Sequence, residues 1–324
     1  MQRRTLALTC ALAAGLSFLT PAAHAEDFPP KKPVTLVVGF AAGGSADIAA
    51  RIIAKKLSEN IGQSVVVDNK PGAGGNLAHV QVARGPSDGS MLLFGSIGPL
   101  SIAPHFMKVG YDPVKDLAPI SMGVSFPNVL VVPASSGIKT LGEYVAKARR
   151  EPGRLDFAST GPGSASHLAG ELLNDVAKID VVHVPYKGGA PALQDVLGDR
   201  VVSFYAAPPT ALPHIESGKL IPLATTGLTR PAYLPKVPTV AETFPGFNAT
   251  NWYAFVASAK TPAPLLDRWN TEIVKVLNAP DVREALLKHG QTVAPGSREE
   301  LGKFIVAENE KWGRIIRERK ITAD

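Results

Sequence analysis

The sequence predicts an α/β protein of two domains, each built on a mainly parallel sheet flanked by helices. Three observations carry this expectation. Apolar, β-branched runs end in glycine turns that open directly into helical patterns, and this unit recurs along the chain. The chain has 324 residues, about twice a common domain length of roughly 150. Hydrophobic residues make up 45% and charged residues 19%, which excludes a disordered or highly charged chain.

The elements follow in order. Val34 to Phe40 reads as a strand, Ala41-Ala42-Gly43-Gly44-Ser45 as a turn, and the segment from about Ala46 as a helix with Ile48, Ile52, Ile53 and Leu57 on one face. Ser64 to Val67 is a second strand, Lys70 to Asn76 a glycine-rich loop, Leu77 to Arg84 a helix, and Met91 to Phe94 a strand ending at Gly95-Ser96. A second unit begins near Asn128 with a strand over 129–132. Thr140 caps a helix to about Arg150, with Glu143 completing a capping box. Strands at 155–158, 180–184 and 201–205 alternate with helices at 167–176 and 190–197, and Ser159 to Ser164 forms a glycine and serine loop. Gly227 to Phe247 is proline-rich and reads as a long connection. Three helical patterns, near 265–277, 280–289 and 298–319, follow Trp252-Tyr253-Ala254-Phe255.

The N-terminus reads as an export signal. Arg3 and Arg4 precede an apolar stretch from Leu6 to Leu19, and Ala23-His24-Ala25 is a small-x-small cleavage site. The apolar run is shorter than the roughly 20 residues that span a bilayer. Cleavage after Ala25 leaves 299 residues and removes Cys10, the single cysteine. A mature chain without a thiol excludes cysteine nucleophiles, thiolate metal sites and disulfides. Removing Arg3 and Arg4 lowers the net charge from +6 to +4. The densest basic run, Arg314 to Lys320, has helical spacing and no stacking aromatics, so it reads as a solvated helix face and not as a nucleic-acid site.

Chemistry concentrates in the turns. Loops 41–45, 72–76 and 159–166 stand where strands feed helices, and in open α/β sheets ligands bind there. A helix N-terminus carries unpaired N–H donors and about half a positive charge, so it holds an anion without a cationic side chain. These loops supply Ser45, Asn76, Thr160, Ser164 and Ser166 as further donors, with no Lys or Arg inside them, which suits a carboxylate better than a polyphosphate. The glycines alone are also explained by tight turns. Phosphate-loop, dinucleotide, nucleophile-elbow and zinc-protease motifs are lacking. His167 and Glu171, at i and i+4, have metal-ligand spacing but no third ligand in sequence; a helix-start hydrogen bond for His167 and solvent for Glu171 are expected instead. His183 reads as a structural partner at a strand end. Trp252 is expected either to line a cleft or to fill the core.

Several segments together are similar to one family. Phe40 to Arg51, Asn69 to Asn76, His183 to Ala192, Pro238 to Glu242, Trp252-Tyr253 and the final Glu308-x-x-x-Trp312 resemble the Bug-type receptors, the periplasmic solute-binding components of tripartite tricarboxylate transporters. The resemblance covers the mature chain in order. It implies a two-domain Venus-flytrap clamshell of the periplasmic-binding-protein kind, with the ligand in the interdomain cleft. Residues 26–126 and 253–324 then form domain 1 and residues 127–252 domain 2, with crossings near Ser125 to Val129 and Asn251 to Phe255. It also implies ligand contacts from Phe40, Gly43, Gly44, Ser45, Ser96, Thr160, Gly163, Ser164, His167 and Ala207. Family members often carry an aspartate where this chain has Ala206, which argues against an amino-acid ligand.

The expectation is therefore a monomeric, periplasmic receptor without cofactor, metal or nucleic-acid partner. It captures a small organic carboxylate and delivers it to membrane permease subunits. Two rivals remain: a ligand sensor for a membrane signalling partner, and a secreted hydrolase with Ser45 or Ser164 as nucleophile and His167 as base.

Overall fold

The computed structural model describes residues 28–105 and 107–322; the expected export signal, Cys10 and the expected cleavage point after Ala25 lie outside the described residues. The chain begins β1 (Val34–Val38), α1 (Ser45–Ile61), β2 (Val65–Asn69), α2 (Asn76–Ala83), β3 (Met91–Ser96) and β4 (Leu117–Pro127). It continues β5 (Val129–Pro133), α3 (Leu141–Arg150), β6 (Asp156–Ser159), α4 (Ala165–Ala177), β7 (Val182–Pro185), α5 (Gly189–Leu197), β8 (Ser203–Ala206), α6 (Pro208–Glu216) and β9 (Leu220–Thr225). It closes with α7 (Val240–Thr243), β10 (Thr250–Ser258), α8 (Ala263–Asn278), α9 (Pro280–Lys288), β11 (Thr292–Val293) and α10 (Arg298–Arg319).

Two sheets result. The first has six strands in the order β11-β4-β10-β3-β1-β2, the second five in the order β7-β6-β8-β5-β9. The strand-helix-strand portions are parallel, as the alternation predicts: β1 with β2 and β3, and β6 with β7 and β8. Both sheets are nevertheless mixed, because the strands adjoining the chain crossings run the other way. β10 is antiparallel to β3 and β4, and β5 is antiparallel to β8 and β9. Asn128 alone separates β4 of the first sheet from β5 of the second, and the chain returns between β9 and β10.

Burial corrects several local expectations. On α1 the buried face is Ala46, Ala49, Ala50, Ile53, Ala54 and Leu57, while Ile48 and Ile52 are only half-buried. Small alanines let this helix lie close to its sheet, so the seam turns away from the larger side chains. Thr140 accepts the Glu143 N–H at 3.1 Å, but Glu143 Oε2 accepts from Lys139 N at 2.7 Å, one residue before the cap, so the predicted capping box is only half formed. The proline-rich connection contains α7, whose capping box joins Thr239 and Glu242. The basic end of α10 is solvated as expected, with Ile316 alone buried between Arg314 and Lys320.

Trp252 lies in the core. Its Nε1 and that of Trp312 donate to the same Glu308 oxygen, at 3.3 and 3.0 Å, and Lys311 Nζ lies 3.0 Å from the other. Two indole N–H groups and an ammonium compensate the carboxylate of a side chain that is only 12% exposed. The Glu308-x-x-x-Trp312 spacing is thus a packing device that ties α10 to β10.

Candidate functional site

One cavity lies where the crossing segments meet the helix starts of both sheets. Its empty space is about 450 Å³, open mouth included. From the first sheet come Phe40, Gly44, Ser45, Ala46, Ser96 and Tyr253; from the second, Thr160, Ala165, Ser166, Gly189, Tyr205, Ala207 and Thr210; from the crossings, Asn128 and Asn251. No charged side chain is among its lining residues.

Two long helices begin at this cavity. In α1 the cap is Gly44, and the N–H groups of Ser45 and Ala46 have no intrahelical acceptor. In α4 the cap is Ser164, and Ala165 and Ser166 stand in the same position. Each end contributes about half a positive charge. The α5 start also reaches the cavity through Gly189. By contrast, α6 opens with Pro208 and Pro209, which have no N–H to give, so its contribution is the Thr210 hydroxyl.

The first loop is braced from behind. Gly43 N–H donates to Asp47 Oδ2 at 3.0 Å, Arg51 Nε donates to the same oxygen at 2.9 Å, and Arg51 Nη2 reaches Asn69 Oδ1 at 3.2 Å. Asn69 Nδ2 donates to Phe40 O at 3.0 Å. Gly43 is therefore committed to Asp47 and does not line the cavity, contrary to expectation. Gly44 lines it, although its own N–H bends back toward Ala41 O at 3.4 Å. Ser45 Oγ accepts from Gln291 Nε2 at 3.1 Å, joining the helix start to the segment before β11.

The second loop is held in the same manner. Thr160 N–H donates to Ser166 Oγ at 2.9 Å, and Ser164 Oγ accepts from His167 N at 3.3 Å. The His167 ring is fully buried; its Nδ1 accepts the Gly163 N–H at 3.2 Å and its face stacks on His183 at 4.0 Å between centroids. Burial, and then the nearby His183, pushes the His167 pKa down to about 3, so the ring is neutral near pH 7. His183 Nε2 meets Ser159 Oγ at 2.5 Å, and Ser159 Oγ also accepts from Gly161 N at 3.0 Å. Gly163, Ser164 and His167, expected as ligand contacts, are not among the lining residues: the Gly163 N–H, Ser164 Oγ and His167 Nδ1 are engaged in shaping the turn.

This arrangement also decides between the sequence readings of His167. In the neutral ring an Nδ1 that accepts from Gly163 leaves Nε2 carrying the hydrogen, so neither ring nitrogen has a lone pair available for a serine proton. Glu171 Oε1 lies 3.9 Å from His167 Nε2. Among the described residues no group of three His, Cys, Asp or Glu comes together as a metal ion requires. Glu171 is not solvated as expected; its side chain is 23% exposed, and burial pushes its pKa up to about 7.

Six of the ten expected contacts line the cavity: Phe40, Gly44, Ser45, Ser96, Thr160 and Ala207. Asn128, Asn251 and Thr210 were missed. Lone polar residues at a crossing carry no spacing signal, yet any polar side chain placed at both crossings is a candidate to face the cleft. Their importance shows in hydrogen bonding: Ser96 Oγ, Asn128 Nδ2, Thr210 Oγ1 and Asn251 Oδ1 are buried without a partner. Buried polar groups are normally paired, so their gathering around one cavity points to a polar occupant.

The cavity's rims touch. Ala41 N–H of the first loop donates to Lys187 O at 3.1 Å, and a Cβ placed on Gly98 would stand 2.6 Å from Gly163 O. At Gly74, with φ +62, a Cβ would stand 2.0 Å from Pro162 O. Only glycine permits such backbone approach.

Residues 49–321 match the sequence profile of the tripartite tricarboxylate transporter family receptor. Protein BugT of Bordetella pertussis is 34% identical over 90% of this chain and 90% of its own length. Among solved structures, the periplasmic binding protein BugD is 31% identical with a TM-score of 0.86, over 90% of this chain and 99% of that one. A protein of R. palustris with adipate is 33% identical with a TM-score of 0.87, over 91% and 99%. MatC from Rhodopseudomonas palustris with bound malate is 31% identical with a TM-score of 0.85, over 89% and 99%.

Proposed function

Since the chain belongs to the tripartite tricarboxylate transporter receptor family, as one of its Bug-type members, we propose that it is an extracytoplasmic receptor that closes around one small organic carboxylate and delivers it to the membrane subunits of a tripartite transporter. The observation that carries this reading is the convergence of the α1 and α4 N-termini, from opposite sheets, on one cavity that no cation lines. A helix end contributes about 0.3–1 kcal/mol toward an anion at the surface and up to about 2 kcal/mol when partly buried. One end alone binds weakly; two ends brought together by closure bind usefully. The adipate and malate of the two neighbouring structures are small carboxylates and support the ligand class.

In this reading residues 26–126 with 253–324 form one jaw and residues 127–252 the other, hinged at the crossings. The N–H groups of Ser45, Ala46, Ala165 and Ser166 grip the carboxylate, and the Ser45, Ser96 and Thr160 hydroxyls complete its shell. Phe40, Gly44 and Ala207 shape the wall. Gly43, Gly163, Ser164 and His167 hold the two loops in register. The protein acts in the periplasm after cleavage behind Ala25, and no described helix is long and apolar enough to cross a membrane. No catalytic step is needed, since hinge closure suffices for capture.

Isothermal titration with a panel of aliphatic and aromatic carboxylates, read together with small-angle scattering, tests the proposal. Saturable binding of at least one acid, accompanied by compaction, is expected. A protein that binds an uncharged ester or amide as tightly as the parent acid would refute the anion grip.

A further inference from the structure

We infer that the paired side-chain amides of Asn128 and Asn251 make the cleft select a carboxylate bearing a hydroxyl group over the same acid without it. The inference rests on the carboxylate reading above and names the ligand class within it.

The two residues stand on the two chain crossings, and their main chains are fixed. Asn128 N–H donates to Thr226 Oγ1 at 2.9 Å and Thr226 N–H returns to Asn128 O at 2.9 Å. Asn251 lies in β10 opposite Phe126 of β4. Their residue exposures are 1% and 7%, and both line the cavity. Asn251 Nδ2 donates to Asn128 Oδ1 at 3.3 Å, which leaves Asn128 Nδ2 and Asn251 Oδ1 buried and unpartnered.

The polarity of this pair does not depend on how the amides are oriented. If both are turned over, Asn128 donates to Asn251 and the free atoms become the carbonyl of one and the amino group of the other. Either way the pair offers the cavity one N–H donor and one carbonyl acceptor. The hydroxyls of Ser45, Ser96, Thr160, Ser166 and Thr210 rotate to suit donor or acceptor alike and so discriminate little. Among the polar side chains lining the cavity, the amide pair alone has a fixed demand.

That demand decides which chemistry fits. A carboxylate only accepts and meets repulsion at the free carbonyl; an ammonium only donates and leaves the free N–H unpaired. An aliphatic carbon leaves both unpaired. A hydroxyl donates one hydrogen and accepts another, and so satisfies both atoms at once. The carboxylate of the same molecule is left to the helix ends.

Isothermal titration of matched pairs tests this: L-malate against succinate, 3-hydroxybutyrate against butyrate, and mandelate against phenylacetate. Leaving a buried donor or acceptor unpaired weakens binding by about tenfold or more, so in whichever pair binds, the hydroxy acid should be at least about tenfold tighter. L-Aspartate should bind more weakly than L-malate. The Asn251→Leu variant should draw the ratio toward one, and the wild-type ratio stands as a test even if that variant does not fold. A deoxy acid binding as tightly as its hydroxylated partner overturns the inference while leaving the carboxylate receptor intact, as does an Asn251→Leu protein that keeps the full preference. Failure of every acid in the panel to bind overturns both.

Discussion

Asp47 holds Gly43. Its Oδ2 accepts the Gly43 N–H at 3.0 Å from one turn further along α1, and Arg51 Nη2 lies 2.9 Å from the other carboxylate oxygen. The cavity-facing loop is therefore pinned by a group that does not line the cavity. Burial acts to raise the Asp47 pKa, but the bonds from Arg51 and Gly43 outweigh it and hold the carboxyl below its ordinary value.

Loss of this brace should weaken binding without removing any lining atom. Asp47→Ala is expected to lower carboxylate affinity by roughly tenfold, the worth of one charge-assisted hydrogen bond. Since the folded pKa is depressed, the pair's stabilisation is present above the ordinary carboxylate value of 3.8 and lost as pH falls below it. Calorimetric affinity and acid unfolding of wild type and variant check both halves; unchanged affinity in Asp47→Ala would show that the loop needs no brace.

Closure should be sensitive to a single methyl group at the rim. Gly98 has no positive φ, so alanine is locally acceptable there, but its Cβ would stand 2.6 Å from Gly163 O and 3.0 Å from Ser164 Cα on the opposite side. Backbone atoms cannot swing aside as a side chain can. Gly98→Ala is expected to cut affinity by about tenfold or more, at an overpacking cost of about 1–3 kcal/mol, and to leave a larger radius of gyration with saturating ligand. A variant as compact as wild type in scattering would contradict the contact's role.

The His167–Glu171 region should give stability two opposed pH dependences, both on the acid side of neutrality. Burial raises Glu171 to about 7, so the folded state prefers the protonated acid, and stability falls as pH rises from about 4.5 through 7. Burial lowers His167 to about 3 and His183 to about 4, so stability falls as pH drops below 6.5. Glu171→Gln should therefore melt at a higher temperature than wild type at pH 8 and close to it at pH 5. Discounted for partial exposure, the gain is about 1–2 kcal/mol. A melting temperature equal to wild type at both pH values would dispose of this account.

Glu308 should prove structural. Alanine there strands two buried indole N–H groups and opens space between α10 and β10. Breaking a buried ionic cluster costs about 3–5 kcal/mol. Denaturant unfolding of Glu308→Ala should show a loss of that size, with ligand affinity at low denaturant nearly unchanged; affinity falling in step with stability would instead link α10 to the cleft.

The legible parts of the fold were those where period and punctuation agree. β1, α1 and the glycine loop between them combine a β-branched run, a turn and a helical face. β4 was illegible because Pro119, Ser121, Gly123 and Ser125 interrupt its apolar residues, a composition that reads as loop. α6 was hidden by Pro208, Pro209 and Pro213, although the first two suit a helix start. At the site, loops 41–45 and 159–166, which the sequence singles out, both reach the cavity, through Gly44 and Ser45 and through Thr160 and Ser166. The sequence could not tell lining groups from bracing ones, since Gly43 and Gly44 differ only in where their N–H groups turn. The asparagines at the crossings become visible only when the two sheets are assembled.

The place of β10 in the first sheet has a consequence for the order of assembly. β10 lies between β3 and β4, pairing Tyr253 with Ser96 and Asn251 with Phe126, partners well over a hundred residues earlier. A chain made from its N-terminus can form the β1, β2 and β3 ladder early, but β3 and β4 have no common neighbour until residues 250–258 arrive. The second sheet, whose strands all lie between residues 129 and 225, is complete by then. The inserted unit can thus mature before its host, and β10 on entering both joins β3 to β4 and fastens the return crossing, which leaves only the two-residue β11 to be added at the edge. Such long loops close slowly, so the nascent first sheet spends its early life as two unjoined pieces.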